Sequence, residues 1–187
     1  MILFLALVPP PGVGDAVAEV LARVPHEPDD FNGLHRSELL LRIAGLGNVA
    51  TPEVASVVRA VRAGLPRGAV PPHVWLEGAW ALETEKDPSI GARVAGDVDA
   101  MTDLVKTLPT AVQSYGLYVD RRAFLPRLSV GTVTPTTGLS FLEALVGELS
   151  RFRSEAWDVT SVEVVRRSFS GGNTRGFEVV ESVPLNG

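Results

Sequence analysis

The chain has 187 residues, 45% of them hydrophobic and 21% charged, and a formal charge of −5. That suits one domain, or two small lobes sharing a core, and excludes a disordered or fibrous chain. The acidic balance argues against a large non-specific nucleic-acid surface, and the absence of cysteine excludes disulfides, thiolate metal sites and a cysteine nucleophile.

Residues 2–8 read as a central strand. The opening run MILFLALV has no positive leader and meets Pro9, Pro10 and Pro11 at once, so it is read as a strand rather than a signal peptide. No segment approaches the ~20 apolar residues of a membrane span. The expected location is the cytoplasm, with no membrane partner. Residues 9–14 form a connection. Asp15 precedes an amphipathic helix in which Val17, Val20, Leu21 and Val24 recur at helical spacing. Residues 26–33 are polar and loop-like, and 38–44 form the next strand.

Thr51-Pro52-Glu53 is a helix start, with Thr51 as cap and Pro52 at the first helical position. Val54, Val57, Val58 and Val61 follow as its apolar stripe. Residues 73–83 (HVWLEGAWALE) make a strand with a bend at Gly78. Trp75 and Trp80, five apart, face opposite sides unless Gly78 bulges the strand. Residues 92–96 are a strand, and Asp97 opens a helix running through Val98, Met101, Val105 and Leu108. Residues 127–133 (RLSVGTV) are a strand. Residues 137–152 are a helix with Leu139, Leu142, Leu145, Val146 and Leu149 inward. The end is a hairpin around Gly171-Gly172-Asn173. Strands and helices do not alternate strictly, so an α+β fold is expected rather than a parallel doubly wound sheet. Each half holds a strand bearing an arginine, followed by a Val/Leu-striped helix.

Several segments together resemble the two-histidine phosphoesterase superfamily, in its 2′,5′-RNA-ligase-like branch that includes RNA 2′,3′-cyclic phosphodiesterases. They are LFLALVPP, LLRIAGLGNV, ARVAGDVD, DRRAFLPRLSVGTV and VVRRSFSGGNTRGFEVVESVPL, in order from end to end. The resemblance implies one domain over residues 1–187, made of two interleaved lobes. It implies a bilobal, pseudo-two-fold pair of mostly antiparallel sheets with outer helices around a central cleft. Each lobe would contribute a His-x-Thr/Ser strand. Phosphoryl transfer needs one group to deprotonate the attacking oxygen and another to protonate the leaving one, and imidazoles do both near neutral pH.

Here the two motifs fall on Leu40-Leu41-Arg42-Ile43 and Arg127-Leu128-Ser129-Val130. Leu40 and Arg127 stand where the family has its histidines, and Arg42 and Ser129 stand at the hydroxyl positions. His35, in the sequence His35-Arg36-Ser37, lies five residues before Leu40. On an unbroken strand it would face the other side, ~16 Å away at 3.3 Å per residue. Arginine stays protonated and cannot serve as a general base, but it binds phosphate well.

The expected site is therefore a phosphate-binding cleft of Arg42, Arg127 and Ser129, rimmed by Arg121 and Arg122, with no catalytic residue. Arg42 and Arg127 can alternatively pair with acidic residues. The expected ligand is a phosphorylated small molecule or RNA end. No cofactor is expected, and the scattered His26, His35 and His73 show no metal-ligand spacing. The alternatives are an active cyclic phosphodiesterase or ligase using His35 or His73, and a protein-interaction module with a vestigial cleft.

Overall fold

The computed structural model describes the chain except residues 28, 82–86, 121, 171–173 and 186–187, and the side chains of residues 169, 170, 174 and 175. The strands are β1 (Ile2–Leu7), β2 (Phe31–Gly33), β3 (Leu41–Asn48), β4 (His73–Ala81), β5 (Ser89–Gly96), β6 (Arg127–Val133), β7 (Trp157–Asp158), β8 (Ser161–Ser170) and β9 (Thr174–Pro184). The helices are α1 (Pro11–Ala22), α2 (Val54–Gly64), α3 (Val98–Val105), α4 (Leu108–Ser114) and α5 (Leu139–Arg151).

The strands form two sheets, one ordered β3-β1-β8-β9 and the other β2-β6-β5-β4-β7. All the described pairings are antiparallel. The chain passes back and forth between the sheets, so the fold is a bilobal α+β arrangement with helices packed on the sheets. Helix α5 lies on β4 and β5, and α2 packs against α4 and β9. No described helix is long and apolar enough to cross a membrane.

One apolar cluster draws on both sheets, through Leu3, Leu5, Leu7, Leu41 and Val164 on one and Leu76, Ile90, Leu128 and Val130 on the other. Alternation sends the remaining side chains of β1 the opposite way. Phe4 and Ala6 join Val165 in a second, smaller cluster, against which Leu40 and Phe177 pack. Strand β1 is thus apolar on both faces, as a strand flanked on both sides in its sheet and covered on both faces should be.

Several boundaries depart from the sequence reading. Helix α1 begins at Pro11, a turn before Asp15, because the fixed φ of proline suits the first helical position. The second strand begins at Leu41, not 38, and runs to Asn48; residues 36–38 form a 3-10 turn instead. Thr51 does not cap α2; the Glu53 carboxylate accepts from the Ala50 N–H at 2.9 Å. The helix expected to end at Leu108 stops at Val105, and α4 starts anew with Pro109 in its first turn.

Phe31–Gly33, expected to be loop, is an edge strand paired with β6. Phe31 is buried, and the hydroxyls of Thr134 and Thr136 donate to the Asp29 carbonyl at 2.9 and 3.0 Å. Leu139 is 70% exposed, since the face of α5 that meets the sheet starts a turn later and culminates in Leu145 and Leu149. The residues expected to make the Gly171–Asn173 turn and to end the strand at 82–83 lie outside those described.

Gly78 does bulge β4. Leu76 pairs with Val94 and Ala79 with Ala92, so three steps on β4 match two on β5. Gly78 takes the left-handed φ of +79°, which a side chain would resist.

Candidate functional site

Strands β3 and β6 come from different sheets and meet at a cleft of about 420 Å³. Leu40, Arg42 and Ile43 line it from one sheet. Trp80, Ser89, Arg127 and Ser129 line it from the other. Asp87, just before β5, and Arg122, Ala123 and Leu125, from the segment before β6, complete the wall. The structure therefore brings Leu40, Arg42, Arg122, Arg127 and Ser129 together. Arg121 lies outside the described residues.

The floor on the β6 side is built on a row across the sheet. Trp80 pairs with Gly91, and Gly91 with Ser129. A Cβ on Gly91 would collide with the Leu128 carbonyl oxygen and approach the Trp80 Nε1 to 2.8 Å. Glycine here lets the indole lie close to the sheet, where Trp80 is 3% exposed. The Arg127 guanidinium stacks on that ring, 3.8 Å from its centroid, a favourable cation–π arrangement. The Trp80 Nε1 has no hydrogen-bond partner among the described residues.

Each cleft arginine also meets a carboxylate. Arg127 donates to Asp87, and its side chain is only 15% exposed. Burial alone would raise the Asp87 pKa. Hydrogen bonds from the Ser89 hydroxyl and amide, with the neighbouring Arg127, outweigh it and hold the carboxyl below its usual range. Arg42 Nη2 donates to Asp120 Oδ2 at 2.6 Å, and its guanidinium carbon lies 4.4 Å from the Phe4 ring centroid. Burial and the like charges of Arg122 and Arg167 lower the Arg42 pKa, against the pull of Asp120.

Asp120 fastens the irregular segment before β6 onto β3. Its Oδ1 accepts from the Gly45 N–H at 3.0 Å, and its own N–H donates to the Gly45 carbonyl at 2.8 Å. Among the described residues the cleft holds Arg42, Arg122 and Arg127 against Asp87 and Asp120, an excess of positive charge.

None of the three histidines lines the cleft. His35 caps the 3-10 turn: its Nδ1 accepts from the Ser37 N–H at 3.3 Å and sits 2.8 Å from the Ser37 Oγ. It is exposed and off the strand altogether. His73 is also exposed, with Nδ1 2.7 Å from Asp158 Oδ1 at the β4–β7 edge. The His26 ring rests against Phe31 and Phe141. Among the described residues no group of three His, Asp or Glu side chains is placed to hold a metal ion.

Ser129 lines the cleft, with its hydroxyl 3.4 Å from the Gly131 carbonyl. Sequence reasoning missed Asp87 and Asp120; it singled out Trp75 and Trp80 without deciding which of them faces a ligand, and Trp80 is the one in the cleft. The Asp-Arg-Arg run at 120–122 was the one local hint that a carboxylate accompanies the arginines.

No protein-family model and no curated protein matches the chain. Solved structures do. A protein described as a phosphoesterase superposes with a TM-score of 0.73 at 15% identity, covering 100% of this chain and 98% of that one. Escherichia coli LigT in complex with 3′-AMP gives 0.72 at 15% identity over 98% of this chain and 97% of LigT. The protein TT0787 of Thermus thermophilus gives 0.67 at 17% identity, covering 100% and 99%. At these identities the likeness is one of fold, and the fold is that of LigT and of the phosphoesterase.

Proposed function

We propose that the chain acts as a single cytoplasmic domain that binds the phosphate group of a phosphorylated ligand and lacks the proton-transfer pair of two-histidine chemistry. The carrying observation is that Arg42 and Arg127, from different sheets, line one cleft together with Ser129 while no imidazole does. Structures of LigT hold 3′-AMP, ATP and NADP+, which supports a nucleotide or RNA end as the starting class of ligand.

The chemistry points the same way. Arginine cannot take a proton at neutral pH. The Asp87 carboxyl, held below its usual range, is ionised there and has no proton to give a leaving group. A phosphate dianion offers more charge and more acceptor oxygens than either aspartate, so it competes for the two guanidinium groups.

The test pairs turnover with binding. The protein is incubated with a short RNA ending in a 2′,3′-cyclic phosphate, and its melting temperature is followed with inorganic phosphate and 3′-AMP. The expected result is no ring opening and a rise in melting temperature. At a ligand concentration 100-fold above Kd the gain is about 2.7 kcal/mol, or roughly 5–10 °C for a chain of this size. The rise should shrink in Arg127→Ala. Ring opening by wild type but not by Arg127→Ala would overturn the non-catalytic reading.

A second reading has its own observation. Both arginines already hold a carboxylate, which favours a closed cleft serving as scaffold in a protein-interaction module. Absence of any thermal shift with phosphate-bearing ligands would select it.

A further inference from the structure

A second cavity of about 410 Å³ adjoins the arginine cleft, and Leu40 lines both. It lies on the face of the first sheet that carries the smaller apolar cluster. Val8, Pro9, Leu40, Val165, Phe177 and Val179 form its walls. The same sheet face is charged at its other end, where Arg42 and Arg167 both lie over the Phe4 ring, at 4.4 and 6.0 Å. One surface thus runs from guanidinium groups to hydrocarbon, with Leu40 at the join.

The polar side chains of this groove are already engaged. Asp15 Oδ1 accepts from Arg36 Nη1 at 3.1 Å, and the Ser37 hydroxyl is 2.8 Å from His35 Nδ1. A nucleoside placed here would press its ring nitrogens and ribose hydroxyls against the apolar walls of Val8, Pro9, Leu40, Val165, Phe177 and Val179, which return no hydrogen bond, and that is costly. A hydrocarbon has no such cost, and the volume falls within the range of small-molecule sites.

We infer that the groove takes a hydrocarbon chain esterified to the phosphate held by Arg42 and Arg127, so that the ligand is an alkyl or isoprenyl monophosphate. Leu40, in the place of a histidine, lets the chain pass from one cavity to the other. This inference rests on the phosphate-binding reading and names the other half of the ligand.

The test is calorimetric titration of the intact protein with inorganic phosphate, methyl, butyl and hexyl phosphate, and AMP. Affinity should rise about fourfold for each methylene that enters the groove, and hexyl phosphate should bind more tightly than AMP. Val179→Asn, at a position 49% exposed and so safe for folding, should flatten the gradient. Val70→Asn, exposed and outside the groove, should leave it intact. Equal affinity for methyl and hexyl phosphate overturns the inference while sparing phosphate binding. Tighter binding of AMP than of hexyl phosphate overturns it in favour of a nucleotide. If no phosphate ester and no inorganic phosphate binds, both readings fail.

Discussion

Replacing Asp120 by asparagine separates the two roles of the Arg42–Asp120 pair, because stability and ligand affinity should move in opposite directions. The asparagine oxygen can still accept from the Gly45 N–H. The charge-assisted bond to Arg42 is lost, and three guanidinium groups are left facing one another with less compensation. A hydrogen bond to a charged group is worth ~1.5–3 kcal/mol. Arg42 is 38% exposed, so solvent screening reduces this to about 1–2 kcal/mol.

For a chain of 187 residues the melting temperature should fall by roughly 2–8 °C. The fall should be smaller in high salt, where exposed charges are screened. A phosphate no longer has to displace the aspartate, so its affinity should rise by about the same free energy, a factor of roughly 5–30. Calorimetry with inorganic phosphate and scanning calorimetry of the unliganded protein read the two effects separately. Weaker phosphate binding in Asp120→Asn would refute the idea that Asp120 competes with the ligand for Arg42.

Asp87 sets an acid limb. Its folded pKa is depressed below the ordinary 3.8, so its stabilising contribution is complete above that value and is lost as pH falls through the lower folded value. Melting temperatures between pH 5 and pH 2 should therefore drop more steeply for wild type than for Asp87→Asn, and parallel curves would contradict the sign. Gly91→Ala should cost about 3 kcal/mol, the upper end of the usual overpacking range, because its Cβ meets backbone at Leu128 rather than a movable side chain. A denaturant midpoint within error of wild type would show that β5 and β6 can separate there freely.

Much of the fold was legible because period and burial agree in its longest strands and helices. Strand β6 was bounded correctly at 127 and 133, since Pro126 and Pro135 mark its two flanks and Arg127-Leu128-Ser129-Val130 alternates polar and apolar between them. Strand β2 was not legible: three residues carry no period, and their strand character comes from pairing with β6, a partner about 100 positions away. Helix α4 was hidden by Pro109, which reads as a stop and serves as a start. The arginines of the cleft could be named from the order of landmarks. Asp87 and Asp120 could not, because they are adjacent to those arginines only in space, at separations of 40 and 78 residues. Trp80 reached the cleft through the parity change at Gly78, a possibility the sequence raised without deciding.

The position of β1 has a consequence for how the chain comes into being. It lies between β3, made soon after it, and β8, made only once residues 161–170 exist. At ~5–20 residues per second, β1 spends on the order of ten seconds with one hydrogen-bonding edge open and both faces apolar. The whole second sheet except its short edge strand β2 is synthesised during that interval. An unpaired apolar edge is a template for pairing with other chains, and closing it late makes folding slow. The nascent protein is therefore most vulnerable to aggregation after β3 has formed and before the final hairpin arrives, a window in which a chaperone has a single strand edge to cover.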